Sequence, residues 1–258
     1  MNPKSETWHK KLVQDLNDLH LTRLAEIYPK ILDEAARKGT STLEILALLI
    51  GEEAAARSER ALQRRIISAN LPQRKTLEAY DFEFPDQVPK QAILSLFDCD
   101  FVSRHGNAAF IGPIGTGKTH LLTALAYKAC ERGHSVRYTR VIQMINTLIA
   151  AQLNGTLEKA IRPFTRPNLL LLDELGYLAI DKRGADLLFQ VVASRYESGS
   201  IVLTTNRAFR DWGATFDQDN TVATAMIDRL MHHGEALVIK GETYRNPIKK
   251  AKPTPNPR

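Results

Sequence analysis

The stretch GPIGTGKT, residues 112–119, has the residue types and spacing to hold a polyphosphate. Gly112 and Gly117 bracket four residues, and Lys118 and Thr119 follow, which completes the phosphate-loop pattern. Glycines let the backbone wrap closely around phosphate oxygens. Amides at the start of a helix point at the same oxygens, and the helix dipole favours negative charge there. Lys118 is expected on the β- and γ-phosphates of ATP and the Thr119 hydroxyl on Mg²⁺. Pro113, Ile114, Gly115, Thr116 and the following His120 complete the lining expected for the nucleotide.

Four further groups bear on what the nucleotide is for. LLLLDE places Asp173 at the carboxyl end of an apolar strand, where it holds the Mg²⁺ shell, and Glu174 beside it. A carboxylate next to a γ-phosphate orients and polarises an attacking water, which favours hydrolysis over transfer to a bulky acceptor; the alternative is an idle second acid. Asn206, closing the TTN of residues 204–206, offers a polar amide to the γ-phosphate or to that water. Arg229, in IDRL, is either a surface ion-pair residue or an arginine finger supplied to a neighbouring subunit. Arg245, in GETYR, either contacts the γ-phosphate in cis or belongs to a basic tail. His232 and His233 are adjacent, and side chains adjacent on a helix point about 100° apart, so they read as helix-end residues rather than a metal pair.

The elements that must position these residues follow from hydrophobic periodicity. Residues 1–75 repeat Leu12, Leu16, Leu19 and then Leu24, Ile27 or Tyr28, and Ile31 at helical spacing. Gly39 ends one helical region, and Ser41-Thr42-Leu43-Glu44 reads as a capping box opening the next. This predicts a small all-helical domain over 1–75. Residues 76–90, with two prolines, four acids and three aromatics, predict an extended linker. From 91 the pattern alternates: a helix over 92–102, a strand over 108–111, a helix over 118–131, a strand over 135–139 and a helix over 141–152. The four-leucine strand 169–172, a helix over 182–198 and a strand over 201–204 follow. Alternation of this kind predicts an α/β domain over 91–248, with a parallel sheet flanked by helices. Residues 249–258 are expected to be a disordered basic tail.

The 258 residues carry a net charge of +6, gathered in two places. Residues 57–75 and 240–258 each hold six Arg or Lys against one acid, so the remainder is net acidic. That clustering suits a polyanion surface. Arg57, Arg60, Arg64 and Arg65 are the residues expected to contact DNA phosphates. The two cysteines have no metal-ligand or disulfide spacing. MNPKSETWHKK has no apolar core of signal-peptide type, and the longest apolar run, 43–50, is too short for a bilayer. A soluble cytoplasmic protein, with no membrane partner, is expected.

Phosphate loop, DE, TTN and a late DRL arginine, in that order, resemble an AAA+ P-loop ATPase. KTLE with its aromatic-acidic run, GTGKTHL, LLLLDELGY, TTN and IDRLMHHG…IKGETYR look like the IstB family over roughly residues 10–248. These are transposition helper ATPases of insertion sequences, related to the DnaC helicase loader. The resemblance implies an ATP- and Mg²⁺-dependent ATPase that forms homo-oligomeric rings or filaments on duplex DNA. Such proteins select or prepare target DNA and recruit and stimulate a cognate transposase of IstA type. It also implies nucleotide and cation contacts from Lys118 and Thr119, the second nucleotide motif at Asp173 and Glu174, a first sensor at Asn206, a trans finger at Arg229 and a second sensor at Arg245. The helical domain would bind the partner, DNA or both. A helicase loader uses the same fold with a different partner. A small-molecule kinase, from a different class, has no use for a trans arginine or for two basic clusters.

Overall fold

A computed structural model describes residues 3–85 and 87–243. Arg245 and the expected tail at 249–258 lie outside the described residues. The chain divides into two compact units, Met1–Arg64 and Arg65–Arg258.

The first unit is helical. Helix α1 (Pro3–Asp18) and helix α2 (Thr22–Lys38) bury Leu16, Leu24 and Tyr28 with Leu49 of helix α3 (Thr42–Ala69) in one small core. Gly39 closes α2 in the left-handed region with φ 68°, where a glycine carries no Cβ penalty. The capping box forms: the Ser41 amide and hydroxyl donate to Glu44 Oε2, and the Glu44 amide donates back to Ser41 Oγ at 3.3 Å. Glu53 is buried in this unit. Its carboxylate accepts from the Leu24 amide at 2.9 Å and from Arg60 Nη2 at 2.7 Å. The Leu24 amide, foremost, holds Glu53 below its ordinary pKa, with Arg60 adding to the effect.

The division between units falls inside α3, ahead of the end at residue 75 expected for the helical domain. The reason is local. Arg65 Nε donates to the Cys130 carbonyl at 2.9 Å, and the linker ties itself to the second unit through Tyr80, whose hydroxyl donates to the Thr116 carbonyl at 3.2 Å. The linker's Tyr80 is buried and meets Phe82 edge-on.

The second unit is a five-stranded, all-parallel sheet in the order β2-β3-β4-β1-β5. Its strands are β1 (Asn107–Ile111), β2 (Val136–Arg140), β3 (Leu169–Leu175), β4 (Ser200–Thr205) and β5 (Gly234–Val238). A parallel strand covered on both faces needs a continuous apolar run, and Leu169–Leu172 and the whole of β4 are buried. The sequence showed no signal for β5, a short edge strand with only Leu237 buried.

Around the sheet lie helices α4 (Lys90–Leu96), α5 (Asp100–Ser103), α6 (Lys118–Glu131), α7 (Val141–Leu153), α8 (Leu157–Thr165), α9 (Lys182–Arg195), α10 (Trp212–Thr215) and α11 (Asn220–Met231). The single helix expected over 92–102 is two, broken where Cys99 takes φ 63°. Helix α8 was not expected: it is nine residues long and holds Pro163, yet Leu157, Ala160, Ile161 and Phe164 recur at helical spacing and Phe164 is buried. The helix expected over 182–198 stops at Arg195, since Tyr196 leaves helical dihedrals with ψ 125° and Glu197 takes φ 56°; Arg195 itself turns inward. Its guanidinium, 1% exposed, donates to the carbonyls of Phe164, Thr165, Asn168 and Ser200 and so fastens the ends of α8 and β4. Desolvation by burial pulls the Arg195 pKa down to about 10.

Candidate functional site

Strand β1 runs into the phosphate loop, which runs into α6. Gly115 and Gly117 take φ 84° and 83°, a region closed to most side chains. A Cβ on Gly117 would meet the Tyr80 ring at 2.6 Å, one on Gly112 the Ile239 carbonyl, and one on Gly115 the Thr243 hydroxyl. The loop is therefore clasped by the linker on one side and by residues 239–243 on the other. Lys118 is buried, with Nζ 2.8 Å from the Gly112 carbonyl and 2.7 Å from that of Pro113. Pro113 also accepts from Thr116 Oγ1 at 2.9 Å, while Ile114 is half exposed. His120 turns towards the linker, its Nε2 2.7 Å from the Thr76 carbonyl. Pro72, Gln73, Lys75, Ala79, Lys118 and Glu174 help line a cleft of about 480 Å³ beside the loop. The cleft therefore has a phosphate end and an end walled by the linker.

The second motif is shaped by a bulge. Leu172 pairs with Leu203 and Leu175 with Thr205, so three steps on β3 match two on β4. The extra residue lies in Asp173-Glu174, and Glu174 takes φ 65°. In a regular strand, neighbouring side chains alternate faces; a bulge re-aims them. Asp173 is buried here and accepts from Thr119 Oγ1 at 3.1 Å, Thr204 Oγ1 at 2.5 Å and the Tyr138 hydroxyl at 2.7 Å. Glu174 is half exposed at the cleft, and Arg140 Nε stands 3.3 Å from its Oε2. Its amide donates to Thr204 Oγ1 at 2.9 Å, which pins the unusual backbone.

Tyr138 and Arg140, both on β2, were missed. Strand β2 carries no motif, and only its pairing with β3, which sets Thr139 beside Leu172 and Arg140 beside Asp173, brings them to the carboxylates. Burial, then the Asp173 charge, pushes the Tyr138 phenol well above its ordinary value, so it remains a donor.

Asn206 follows β4, which lies between β3 and β1 in the sheet, so it stands between the two nucleotide motifs. Its Oδ1 is buried and has no hydrogen-bond partner among the described residues. A buried amide oxygen left unpaired is costly and marks a place for a ligand or water. Glycine cradle, buried lysine, Thr119 hydroxyl against the Asp173 carboxylate and this unpaired amide together fit a nucleotide triphosphate and a hard cation.

Arg229 does not join this cluster. It lies on α11, with Nη1 3.1 Å from the Ala225 carbonyl and its guanidinium 4.7 Å from the Phe189 ring centroid. The four arginines expected on one basic face also divide. Arg57 and Arg64 are exposed, Arg60 is paired with Glu53, and Arg65 is spent on Cys130. Cys99 and Cys130 are buried with their thiols pushed up to about 11 by desolvation, which leaves them unreactive. No described helix is long and apolar enough to cross a membrane.

The fold and motifs agree with known proteins. DnaA from Aquifex aeolicus, in an AMPPCP-bound structure, superposes with a TM-score of 0.55 at 21% identity over 67% of this chain and 51% of that one. DnaI superposes at 0.56 and 19% identity, over 64% of this chain and 91% of that one. The architecture is that of an AAA+ P-loop protein preceded by a helical unit. An insertion sequence IS21 protein of Pseudomonas aeruginosa, described as ATP-binding, is 38% identical over 89% of this chain and 86% of its own length. The corresponding IS5376 protein of Geobacillus stearothermophilus is 38% identical over 88% and 90%. The model of the family IstB-like ATP binding protein matches residues 14–252, and this chain belongs to that insertion-sequence family.

Proposed function

We propose that this chain binds and hydrolyses ATP with Mg²⁺, assembles as a homo-oligomer on duplex DNA, and recruits or stimulates a partner transposase. The observation that carries the hydrolytic part is the β3 bulge, which separates the two carboxylates by role. Asp173 is buried against Thr119, and these two would hold the cation; Glu174 faces the cleft. Bound Mg²⁺-ATP supplies the phosphoanhydride. Lys118 binds its β- and γ-phosphates, Asn206 orients the γ-phosphate or the water, and Glu174 polarises that water and takes its proton. Arg229 lies outside its own cleft, which supports a role on a neighbour's nucleotide and hence an oligomer. Exposed Arg57 and Arg64, with exposed Lys159 on α8 and Arg166 at its C-terminal cap, supply phosphate contacts for DNA. The relatives' place in insertion sequences, at 38% identity, favours a transposase over a replicative helicase as partner.

Imaging the protein with duplex DNA and a slowly hydrolysed ATP analogue, beside an ADP control, tests the assembly. Rings or filaments are expected with the analogue only, and Lys118→Ala is expected to abolish both ATP binding and assembly. DNA affinity should fall steeply with salt, as counterion release requires. Assemblies that form equally with ADP, or a flat salt response, defeat the reading.

Tyr138→Phe removes one hydroxyl and nothing else. The Asp173 carboxylate then loses an orienting donor at 2.7 Å. An outer partner of a metal-binding carboxylate is typically worth about tenfold or more in metal affinity. The variant is expected to need roughly tenfold more Mg²⁺ for half-maximal hydrolysis while its ATP affinity without Mg²⁺ stays the same. An unchanged Mg²⁺ requirement means the hydroxyl serves packing alone.

A further inference from the structure

The structure points to a second metal site, remote from the nucleotide cleft. Glu197, His232 and His233 each present one ligand atom, and these atoms lie within 4.8 Å of one another. Helix α11 ends at Met231 and His232 caps it; despite the divergence expected of adjacent helical residues, the two rings stand 4.3 Å apart between centroids. Glu197 enters from the turn after α9, where it takes φ 56°. Its Oε1 stands 4.0 Å from His233 Nε2.

Two features hold the imidazoles in place. The Tyr196 hydroxyl is 2.8 Å from His232 Nδ1. When Nδ1–H donates to that hydroxyl, Nε2 keeps its lone pair for an ion. The His233 carbonyl accepts from the Asn107 amide at 2.9 Å, which anchors that residue to the start of β1. The His233 and Glu197 side chains are 53% and 61% exposed, so an ion reaches them from solvent.

We infer that these three residues bind a borderline divalent transition-metal ion of the Zn²⁺ class. Two imidazoles and a carboxylate are the donor set of an open zinc site with water in the fourth position. Mg²⁺ and Ca²⁺ prefer oxygen ligands and are poorly matched. Bonds of about 2.1 Å in a tetrahedron set ligand atoms roughly 3.4 Å apart. The exposed side chains must therefore close by up to about 1.4 Å, within reach of a rotamer adjustment. The ion would clip the end of α9 to the end of α11, the helices that carry Phe189 and Arg229.

The test is titration of the full chain with Zn²⁺, and with Co²⁺ as a spectroscopic probe, in excess Mg²⁺. One ion per chain and the intense visible bands of tetrahedral Co²⁺ are expected. His232→Ala, His233→Ala and Glu197→Gln should each weaken binding by about tenfold or more, and Tyr196→Phe by about tenfold. The metal-free melting temperatures should match the parent's, since all four side chains are exposed at the surface. Binding that survives both histidine substitutions, an octahedral Co²⁺ spectrum, or no saturable binding overturns the assignment.

Discussion

Glu174→Gln is expected to bind ATP as the parent does and to hydrolyse it at least about 10²-fold more slowly, the usual contribution of a positioned general base. The substitution keeps the shape of the side chain and removes its capacity to take a proton. It also removes the ion pair with Arg140. That pair is worth little, because the two side chains are 51% and 39% exposed and such pairs contribute about 0–1 kcal/mol. The left-handed backbone at Glu174 persists, since it is held by the amide bond to Thr204 Oγ1 rather than by the carboxylate. Phosphate release measured beside equilibrium ATP binding separates the two properties. With hydrolysis stopped and ATP retained, the assembly should stay on DNA. Normal phosphate release from this variant removes Glu174 from the chemistry. In the companion Arg140→Ala, Glu174 is freed of its cation, and a change of no more than about fivefold in DNA-free hydrolysis is expected from a pair this exposed.

Arg229→Ala should cost roughly 10³-fold or more in hydrolysis if the guanidinium serves the transferring phosphoryl group, as arginine fingers do. Its structural cost is small. The contact with the Phe189 ring is a half-exposed cation–π pair worth about 0.5–1 kcal/mol, and the bond to Ala225 stays within one helix turn. The decisive measurement is mixing. Arg229→Ala subunits have an intact phosphate loop and Glu174; Glu174→Gln subunits have an intact Arg229. Each is inactive alone, and together they should recover part of the parent rate as one completes the other's site. A mixture as inactive as its components assigns Arg229 to its own subunit or to packing.

Much of the site was legible because its physics is local. A phosphate loop needs glycines at fixed offsets and a helix at once behind them, so GPIGTGKT specified its own conformation and Lys118 and Thr119 came out where their spacing put them. A fully buried parallel strand needs an unbroken apolar run, which located β3 and with it the Asp173-Glu174 pair. The capping box at Ser41 is closed within four residues, and it formed as its residue types require. Helix α8 and strand β5 were not read from the sequence: one is nine residues long and holds Pro163, the other is an edge strand defined by its neighbour.

What residue order alone determined is the nucleotide cradle, the apolar strands and the family these motifs belong to. Tertiary structure alone decided which groups surround the carboxylates. Tyr138 and Arg140 reach Asp173 and Glu174 through the β2–β3 register, and no spacing along the chain encodes that pairing. It also decided that Arg60 and Arg65 are engaged within the chain while Arg57 and Arg64 stay open, since helical spacing gives the face but not its neighbours. It likewise brought the rings of His232 and His233 to 4.3 Å at the end of α11 and set Glu197, from the turn after α9, beside them.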